Sequence, residues 1–485
     1  MSVSHVPPNS LTLPAVAGWW IVPAGLLAIF ATYWDESWHT DVGRDTAWAP
    51  PHVLLYGAVA VAGLGVAAWG VRVWWRTRSL RVVLRQRALV AAGAGGIAVL
   101  AAAPIDALWH ERYGRDSVLW SPPHMLVVLG ASGLTIGVLT GLPPASRTLR
   151  ALACVLLAGN ALAVVFEYEA DVPQFDEVLY LPILLAVGGL VAWIARHALP
   201  VRAPVSTAVL GYAALRLGIM VALALLGRST PDLPVAVVGL ALVDLPLRAV
   251  HQRYAAGLAS TAALAWLASL AGLASPAPAA VAVTALPVII ASALVILLSG
   301  GAPRTRWLLP GAVATVALGL LMAGPAEPAA AHDPGQGRRV SDVELTVASD
   351  GSGELTVRVH DADGCAHLTP VRVVGRRAGD VAEGRLRMTG GCTYVGELDV
   401  KARGRWFVYA ELSLHGERVE TWLPVQADEA ETITRERELY VPATTSVDGR
   451  TDAIVLGALL YLAGAALVLG GVLAVRRPFA LGDGA

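Results

Sequence analysis

Two stretches of sequence decide how the first part of this chain folds: Asp35–His52, DESWHTDVGRDTAWAPPH, and Asp106–His124, DALWHERYGRDSVLWSPPH. The second repeats Asp, Trp-His, Gly-Arg-Asp, Trp and Pro-Pro-His of the first in the same order, with one residue added before its second tryptophan. Each stretch joins two apolar segments and ends in Pro-Pro-His, which suits the start of a new helix because proline cannot continue the previous one. The pattern predicts two helical hairpins, each leaving the membrane and re-entering it.

The composition excludes several classes of protein. The chain has 485 residues, of which 55% are hydrophobic and 15% charged, as is typical of polytopic membrane proteins. A net charge of −1 gives no electrostatic reason to expect a nucleic-acid partner. Three cysteines and five scattered methionines provide neither a disulfide scaffold nor a thioether cluster for Cu(I). Any metal in the helical part would therefore be held by nitrogen and oxygen.

Apolar runs of spanning length predict a helical membrane bundle of about twelve spans. The runs lie at about residues 17–34, 52–74, 88–106, 124–142, 150–167, 178–196, 206–226, 233–247, 256–274, 279–299, 307–325 and 452–475. With twelve spans, every arginine cluster between them falls on one side of the bilayer. The positive-inside rule then predicts a multi-pass plasma-membrane protein with both termini in the cytoplasm and both hairpins facing outward.

Residues 326–450 differ from the rest, because alternating apolar and polar residues are separated there by Gly and Asp turns. They predict an extracytoplasmic, immunoglobulin-like β-sandwich. The predicted organisation is thus a transmembrane domain (1–325), a β-domain (326–450), and a C-terminal anchor with a short tail (451–485). Cys365 and Cys392 in the β-domain favour a disulfide, with a copper thiolate as the alternative. Cys154, inside a span, is expected to be buried.

The junction before the β-domain resembles a signal peptide, with Arg304 and Arg306, an apolar stretch, and then Ala329–Ala331 before His332. One interpretation is a spanning helix with an alanine-rich exit. The alternative is cleavage that frees the amino group of His332, which could then chelate a metal through its amine and its imidazole.

The repeated residues have the chemistry of a metal site. In each hairpin an aspartate precedes a histidine by four residues, so both side chains lie on one face of a helix, and the histidine after Pro-Pro folds back toward them. One carboxylate with two imidazoles suits Cu(II), Zn(II) or non-haem Fe(II). The alternative is a hairpin duplicated for packing, in which these groups pair with one another. The predicted ligands are Asp35, His39 and His52 in the first hairpin, and Asp106, His110 and His124 in the second.

The Arg-Asp pair in each turn is expected to set the turn and orient the imidazoles, although either aspartate could also bind the metal. These pairs are Arg44-Asp45 and Arg115-Asp116. The tryptophans of both repeats fit the aromatic belt at a membrane interface.

Three further groups are weaker candidates. The acidic segment with Glu167, Glu169 and Asp171 either supplies oxygen ligands beside the repeats or ends a helix in solvent. The β-domain sequence has one His/Cys cluster, formed by His360, Cys365 and His367, and one interpretation of this cluster is a metal site. Two charges at membrane depth, Arg216 and Asp244, are functional or paired with each other, although their different depths argue against that pairing.

The first repeat resembles the C subunit of the copper membrane monooxygenases, the particulate methane and ammonia monooxygenase group. That signature runs Asp-x-x-Trp-His, then Arg-Asp-Thr, an aromatic residue, Pro and a closing His. The resemblance implies copper ligands at Asp35, His39 and His52 near the outer membrane face, and equivalents in the second repeat. It covers about twenty residues twice over, and departs from the family at Trp48 and Pro51, where Phe and Ser are usual.

The resemblance implies a function and partners. The monooxygenases work with companion subunits, and the β-domain after Ala-Ala-His is loosely similar to their B subunit, whose mature N-terminal histidine binds copper. We therefore expect a copper protein of the bilayer that activates dioxygen to oxidise a small apolar substrate, with companion subunits or as a homo-oligomer. The alternative is a protein for copper capture, transport or storage with an outward metal-binding β-domain. A scaffold without metal is the third possibility.

Overall fold

The computed structural model describes residues 11–42, 48–113, 119–173, 175–298, 336–361, 368–377, 380–442 and 447–476. Its helices are α1 (Ala15–Asp41), α2 (Pro50–Thr77), α3 (Leu80–Arg85), α4 (Arg87–Tyr113), α5 (Pro122–Gly141), α6 (Arg147–Leu162), α7 (Phe166–Glu169), α8 (Tyr180–Ala198), α9 (Pro204–Leu225), α10 (Val235–Val238), α11 (Val250–Leu270), α12 (Pro278–Leu298) and α13 (Val447–Arg476). Short 3₁₀ helices occupy Ala163–Val165, Glu177–Leu179 and Gly239–Asp244.

The helical part has the character of a membrane bundle. Nine helices in the described residues are long and apolar enough to cross a bilayer. The prediction of about twelve differs in three places. The run at 307–325 lies outside the described residues, the run at 256–274 corresponds to α11, which is not among the nine, and the run at 233–247 is not a spanning helix.

The segment predicted as a span at 233–247 instead crosses the bundle as α10 followed by the 3₁₀ helix. At one end, the backbone N–H of Asp232 donates to the carbonyl of Glu169, and at the other Asp244 lies 3.6 Å from Arg196. A 3₁₀ helix rises about 2 Å per residue, more than an α-helix, so a short segment reaches further. Non-α backbone at this depth is tolerated because it is buried in protein.

Small residues let the helices that carry the second hairpin approach closely. A methyl group added at Gly95 of α4 would lie 2.5 Å from the carbonyl oxygen of Gly130 on α5, and one at Gly137 would lie 2.4 Å from the backbone nitrogen of Ala92. Close backbone approach through small residues is how helices pack where water provides no hydrophobic driving force. Any larger residue at these glycines would push the two helices apart.

The β-domain is a closed antiparallel barrel, and the prediction of an immunoglobulin-like sandwich was wrong. Its strands are β1 (Gln336–Asp350), β2 (Glu354–His360), β3 (Leu368–Arg377), β4 (Asp380–Gly390), β5 (Thr393–Asp399), β6 (Arg405–Leu414), β7 (Glu417–Gln426) and β8 (Ala430–Pro442). They are ordered β1-β2-β5-β4-β3-β6-β7-β8, and β8 pairs with β1 from Asp350↔Ala430 to Gln336↔Pro442. That long pairing joins the two edges that a sandwich leaves open.

The barrel packs against the end of the bundle that carries the two hairpins, here called the hairpin end. Val172, between α7 and α8, packs against Val374, Phe407 and Tyr409 on the outside of the barrel. The guanidinium of Arg437 donates to the carbonyl of Val42, just after α1. The β-domain therefore lies on the same side of the bundle as the predicted metal ligands.

Candidate metal centre

Helices α1 and α2 position the first set of predicted ligands. Asp35 and His39 lie on the last turns of α1, one helical turn apart, and α2 begins with Pro50 and Pro51 in its first turn. His52 follows immediately, so its side chain lies where the second helix starts. The helical hairpin predicted from the repeat therefore places all three side chains at the hairpin end.

The three side chains converge on one point. Asp35 Oδ1 lies 2.9 Å from His52 Nε2, and Asp35 Oδ2 lies 3.9 Å from His39 Nδ1. One donor atom from each residue lies within 4.8 Å of the other two. The two imidazoles stand 6.1 Å apart between ring centroids, and the ring of His52 stacks on Tyr56 at 5.9 Å. All three are partly buried, with 17–23% of each side chain exposed.

The donor set and its spacing fit a metal ion. Nitrogen and carboxylate oxygen bind transition metals at about 2.0–2.2 Å, so two ligands of one ion stand up to roughly 4.2 Å apart. Because the three donor atoms already lie within 4.8 Å of one another, small side-chain movements would bring them into that range. Three protein ligands leave coordination positions for water or another small molecule, as in catalytic metal sites.

The second hairpin brings at least two of its predicted ligands together. Asp106 Oδ1 on α4 lies 3.3 Å from His124 Nε2 at the start of α5. Their side chains are 26% and 28% exposed, slightly more than those of the first hairpin. The side chain of His110 lies outside the described residues. So do the predicted turn pairs Arg44-Asp45 and Arg115-Asp116, as well as His332, Cys365 and His367.

Glu36 is a charged residue near both hairpins that the sequence reasoning did not select. It is partly buried on α1, and the charges that act on it include His39 and, from the second hairpin, His124. His124 also acts electrostatically on Asp35. The two hairpins are thus electrostatic neighbours. Glu36 was overlooked because the repeat has alanine at the equivalent position, Ala107; its only sequence signal is adjacency to Asp35.

Each carboxylate of the acidic segment has a structural partner. Glu167 is 2% exposed and accepts a hydrogen bond of 2.6 Å from the backbone N–H of Leu119, in the turn of the second hairpin. It is therefore not a helix end in solvent. Its hydrogen bond therefore holds the segment that leads into α5.

Glu169 forms a fully buried ion pair with Arg216 of α9. The guanidinium also donates to the hydroxyl of Tyr212 at 2.9 Å and to the carbonyl of Asp232 at 2.7 Å. It lies 4.5 Å from the ring of Tyr33, two residues before Asp35. Arg216 therefore pairs with Glu169, and Asp244 pairs with Arg196, so the two charges at membrane depth do not pair with each other. The network lies directly beneath the first ligand set.

Asp171 attaches the barrel to the bundle. Its carboxylate lies 2.7 Å from the guanidinium of Arg377 and accepts a hydrogen bond of 2.6 Å from the backbone N–H of Arg405. Glu177 also pairs with Arg377, at 3.2 Å, and with Arg403. These partners lie on barrel strands or the adjoining loop, so the acidic segment forms the docking surface for the β-domain.

Of the predicted β-domain cluster, His360 alone lies within the described residues. His360, the last residue of β2, has its Nδ1 atom 3.2 Å from the hydroxyl of Thr393, the first residue of β5. Cys392 is disulfide-bonded, which agrees with a disulfide in this domain and removes its thiolate as a copper ligand. Cys154 is a buried thiol, as expected.

No family model, curated protein or solved structure matches this chain.

Proposed function

We propose that this chain is an integral membrane metal-binding protein and that its first hairpin holds copper through Asp35, His39 and His52. The observation that carries the proposal is the convergence of three donor atoms, one per residue, within 4.8 Å. A partly buried carboxylate between two imidazoles gains more from a cation than from solvent, since its charge is incompletely hydrated. The paired Asp106 and His124 support a second, similar site.

Copper is the metal favoured by two arguments. Imidazole nitrogen with one carboxylate suits Cu(II), which also has the highest affinity in the divalent series. The motif resembles that of the copper membrane monooxygenases at the same three residue types and spacing. Zinc and non-haem iron take the same donors and are the alternatives that metal analysis would reveal.

The resemblance extends the proposal to oxygen chemistry. Bound copper would supply a site for dioxygen, and the surrounding apolar helices would admit an apolar substrate from the lipid. Incorporating one oxygen atom into a substrate releases the other as water, so the reaction needs an external two-electron donor. A quinol or a companion subunit would have to provide it.

Copper transport or storage is the alternative function, and two observations weigh against transport. Within the described part of the chain, only one cluster of three potential ligands occurs, at the hairpin end. The deeper charges, Arg216 and Glu169, are committed to each other. A transport path would need further ligands along the depth of the bilayer. A fixed site at one end agrees better with catalysis or storage.

The test compares copper binding in the purified wild type, in His39→Ala and in the control His197→Ala. His197 is an exposed histidine at the end of α8, and its Nδ1 lies 2.7 Å from the carbonyl oxygen of Trp193 one turn earlier. After copper loading and desalting, the wild type and the control should retain copper and give a type 2 Cu(II) EPR signal with nitrogen coupling. His39→Ala should lose the part of that signal that comes from the first site. Native-like protein that retains no copper, or an unchanged signal in His39→Ala, would refute the proposal.

Activity assays then separate the two functions. Oxygen uptake with a quinol donor, stimulated by ammonia or a small hydrocarbon and abolished by His39→Ala, would support oxidation. Copper uptake into vesicles, without oxygen consumption, would support transport instead.

A further inference from the structure

A cavity of about 420 Å³ lies between the barrel and the ends of α1 and α9 at the hairpin end. Its volume falls within the roughly 300–1,000 Å³ typical of small-ligand sites. The walls combine charged and apolar side chains from both parts of the molecule. The lining residues that matter here are Asp41, Arg228, Leu423, Ile433, Arg435 and Arg437.

Arg437 is the central polar group of this cavity. One of its nitrogens donates to the carbonyl of Val42, and its guanidinium lies 5.1 Å from the ring of Trp422. Its Nε and Nη2 atoms are buried and have no hydrogen-bond partner within the described residues. Buried donors without partners are uncommon, because each costs about 1–3 kcal/mol relative to its hydrated state.

The charge around Arg437 is not balanced by the protein. Three guanidinium groups, those of Arg228, Arg435 and Arg437, line the cavity, against two carboxylates, those of Asp41 and Glu436. Of these two carboxylates, the partly buried Asp41 already accepts hydrogen bonds from the backbone N–H and the hydroxyl of Ser229, at 2.9 and 2.7 Å. Burial and the like charge of Arg435 lower the pKa of Arg437 to about 10. The site thus carries excess positive charge that water hydrates only in part.

We propose that this cavity binds a phosphate group, with Arg437 as its principal ligand and Arg435 and Arg228 as supporting charges. Guanidinium groups match the oxygens of phosphate in geometry and form charge-assisted bonds with it. The cavity lies where two membrane-length helices end, so the phosphate belongs either to an anionic lipid headgroup or to a soluble ligand. The proposal does not depend on the metal site, since none of the three metal ligands lines the cavity.

The experiment measures phosphate binding directly. In detergent, inorganic phosphate is titrated at constant ionic strength with chloride as the balancing anion, and the midpoint of thermal unfolding is followed. In nanodiscs, phosphatidylglycerol is compared with phosphatidylcholine, and retained lipid is identified by native mass spectrometry. The variants are Arg437→Gln, Arg435→Gln and the control Arg387→Gln, an exposed arginine of β4, which stands opposite β8 in the strand order of the barrel.

The expected result is stabilisation of the wild type and of Arg387→Gln by one phosphate source. Arg437→Gln should weaken that binding at least about tenfold, and Arg435→Gln severalfold. Stabilisation by inorganic phosphate alone assigns a soluble ligand, whereas selective retention of phosphatidylglycerol assigns a lipid. If Arg437→Gln fails to fold, Arg435→Gln decides, because that exposed side chain bonds only to the neighbouring carbonyl of Thr434 among described residues. Absence of binding to both probes, or equal binding in the variants, would overturn the proposal.

Discussion

The two hairpins carry the same motif but are supported at different points. In the first, the end of α1 is held, where Asp41 bonds to Ser229 and the carbonyl of Val42 accepts from the barrel. Its returning tryptophan, Trp48, is 80% exposed. In the second, buried hydrogen bonds hold the returning segment, whereas the end of α4 carries an exposed ion pair between Arg112 and Asp452. Glu167 bonds to Leu119 in the returning segment, and the indole N–H of Trp120 donates to Val164 at 3.0 Å.

This difference shows what a repeated motif specifies. The Asp-x-x-x-His and Pro-Pro-His elements place donors on two helices, whereas the surrounding chain decides which side of the hairpin is rigid. The first copy is fixed where it leaves the bundle, and the second where it re-enters. We therefore expect the copies to differ in how strongly they depend on distant residues.

The largest expected effect is the loss of copper from the first site in Asp35→Asn. Asp35 is the residue within 4 Å of both histidines, and an amide provides no negative charge to replace the carboxylate. Elemental analysis should show that the copper bound per protein falls by the amount that the first site holds. The matched variant Asp106→Asn should lose only the copper that the second site holds. Loss of all copper in either single variant would mean that the hairpins form one interdependent centre.

The next largest effect concerns the ion pair beneath the first hairpin. Arg216→Met leaves Glu169 buried without a partner and should lower the free energy of unfolding by about 3–5 kcal/mol. The double variant with Glu169→Leu should recover much of this loss. Thermal unfolding in detergent measures both. Arg338→Met, which removes an exposed pair with Glu417, should cost at most about 1 kcal/mol. If Arg216→Met and Arg338→Met lowered the free energy of unfolding by similar amounts, the buried ion pair would not have the importance proposed here.

A smaller effect is expected from the brace of the second hairpin. Glu167→Gln weakens a charge-assisted bond to a buried backbone N–H, worth about 1–3 kcal/mol. Hydrogen exchange should accelerate around Leu119, while the end of α1 keeps its rate. Asp41→Asn is the reciprocal variant and should loosen the Ser229 region only. If either variant loosened both hairpins equally, the distinction between their supports would be wrong.

The smallest effect should come from the ring behind His52. Tyr56→Val removes a stacked aromatic pair worth about 0.5–1.5 kcal/mol, so copper affinity at the first site should fall about twofold to tenfold. Tyr56→Phe keeps the ring and should bind like the wild type. Competition with a chromophoric chelator measures these affinities, and equal values for Val and Phe would exclude a role for stacking.

Local sequence features predicted what depends on local chemistry. Spacing and the Pro-Pro signal were enough to predict that Asp35, His39 and His52 meet, since all three lie on two adjacent helices. The apolar runs predicted a helical bundle in a membrane. These features follow from periodicity and proline geometry alone.

Partners distant in sequence were not predictable. Alternation along a strand is the same in a sandwich and a barrel, and closure depends on β1 meeting β8, about ninety residues later. The ion-pair partners of Glu169 and Asp171 are Arg216 and Arg377, which lie far away in sequence, so local patterns cannot reveal these pairs. Glu36 breaks the repeat, so a search for repetition passes over it.

The short crossing at Val235–Asp244 has a consequence for biogenesis. About twenty apolar residues are needed for a segment to partition into lipid unaided, and this one is half that length. We expect that the translocon does not insert this segment into the bilayer. The segment would enter only after α8, α9 and α11 have assembled around the space that it occupies. Glycosylation mapping of chains truncated after Leu245 should place that end on the opposite side from the one it occupies in the complete protein. An unchanged location would show that the segment inserts independently.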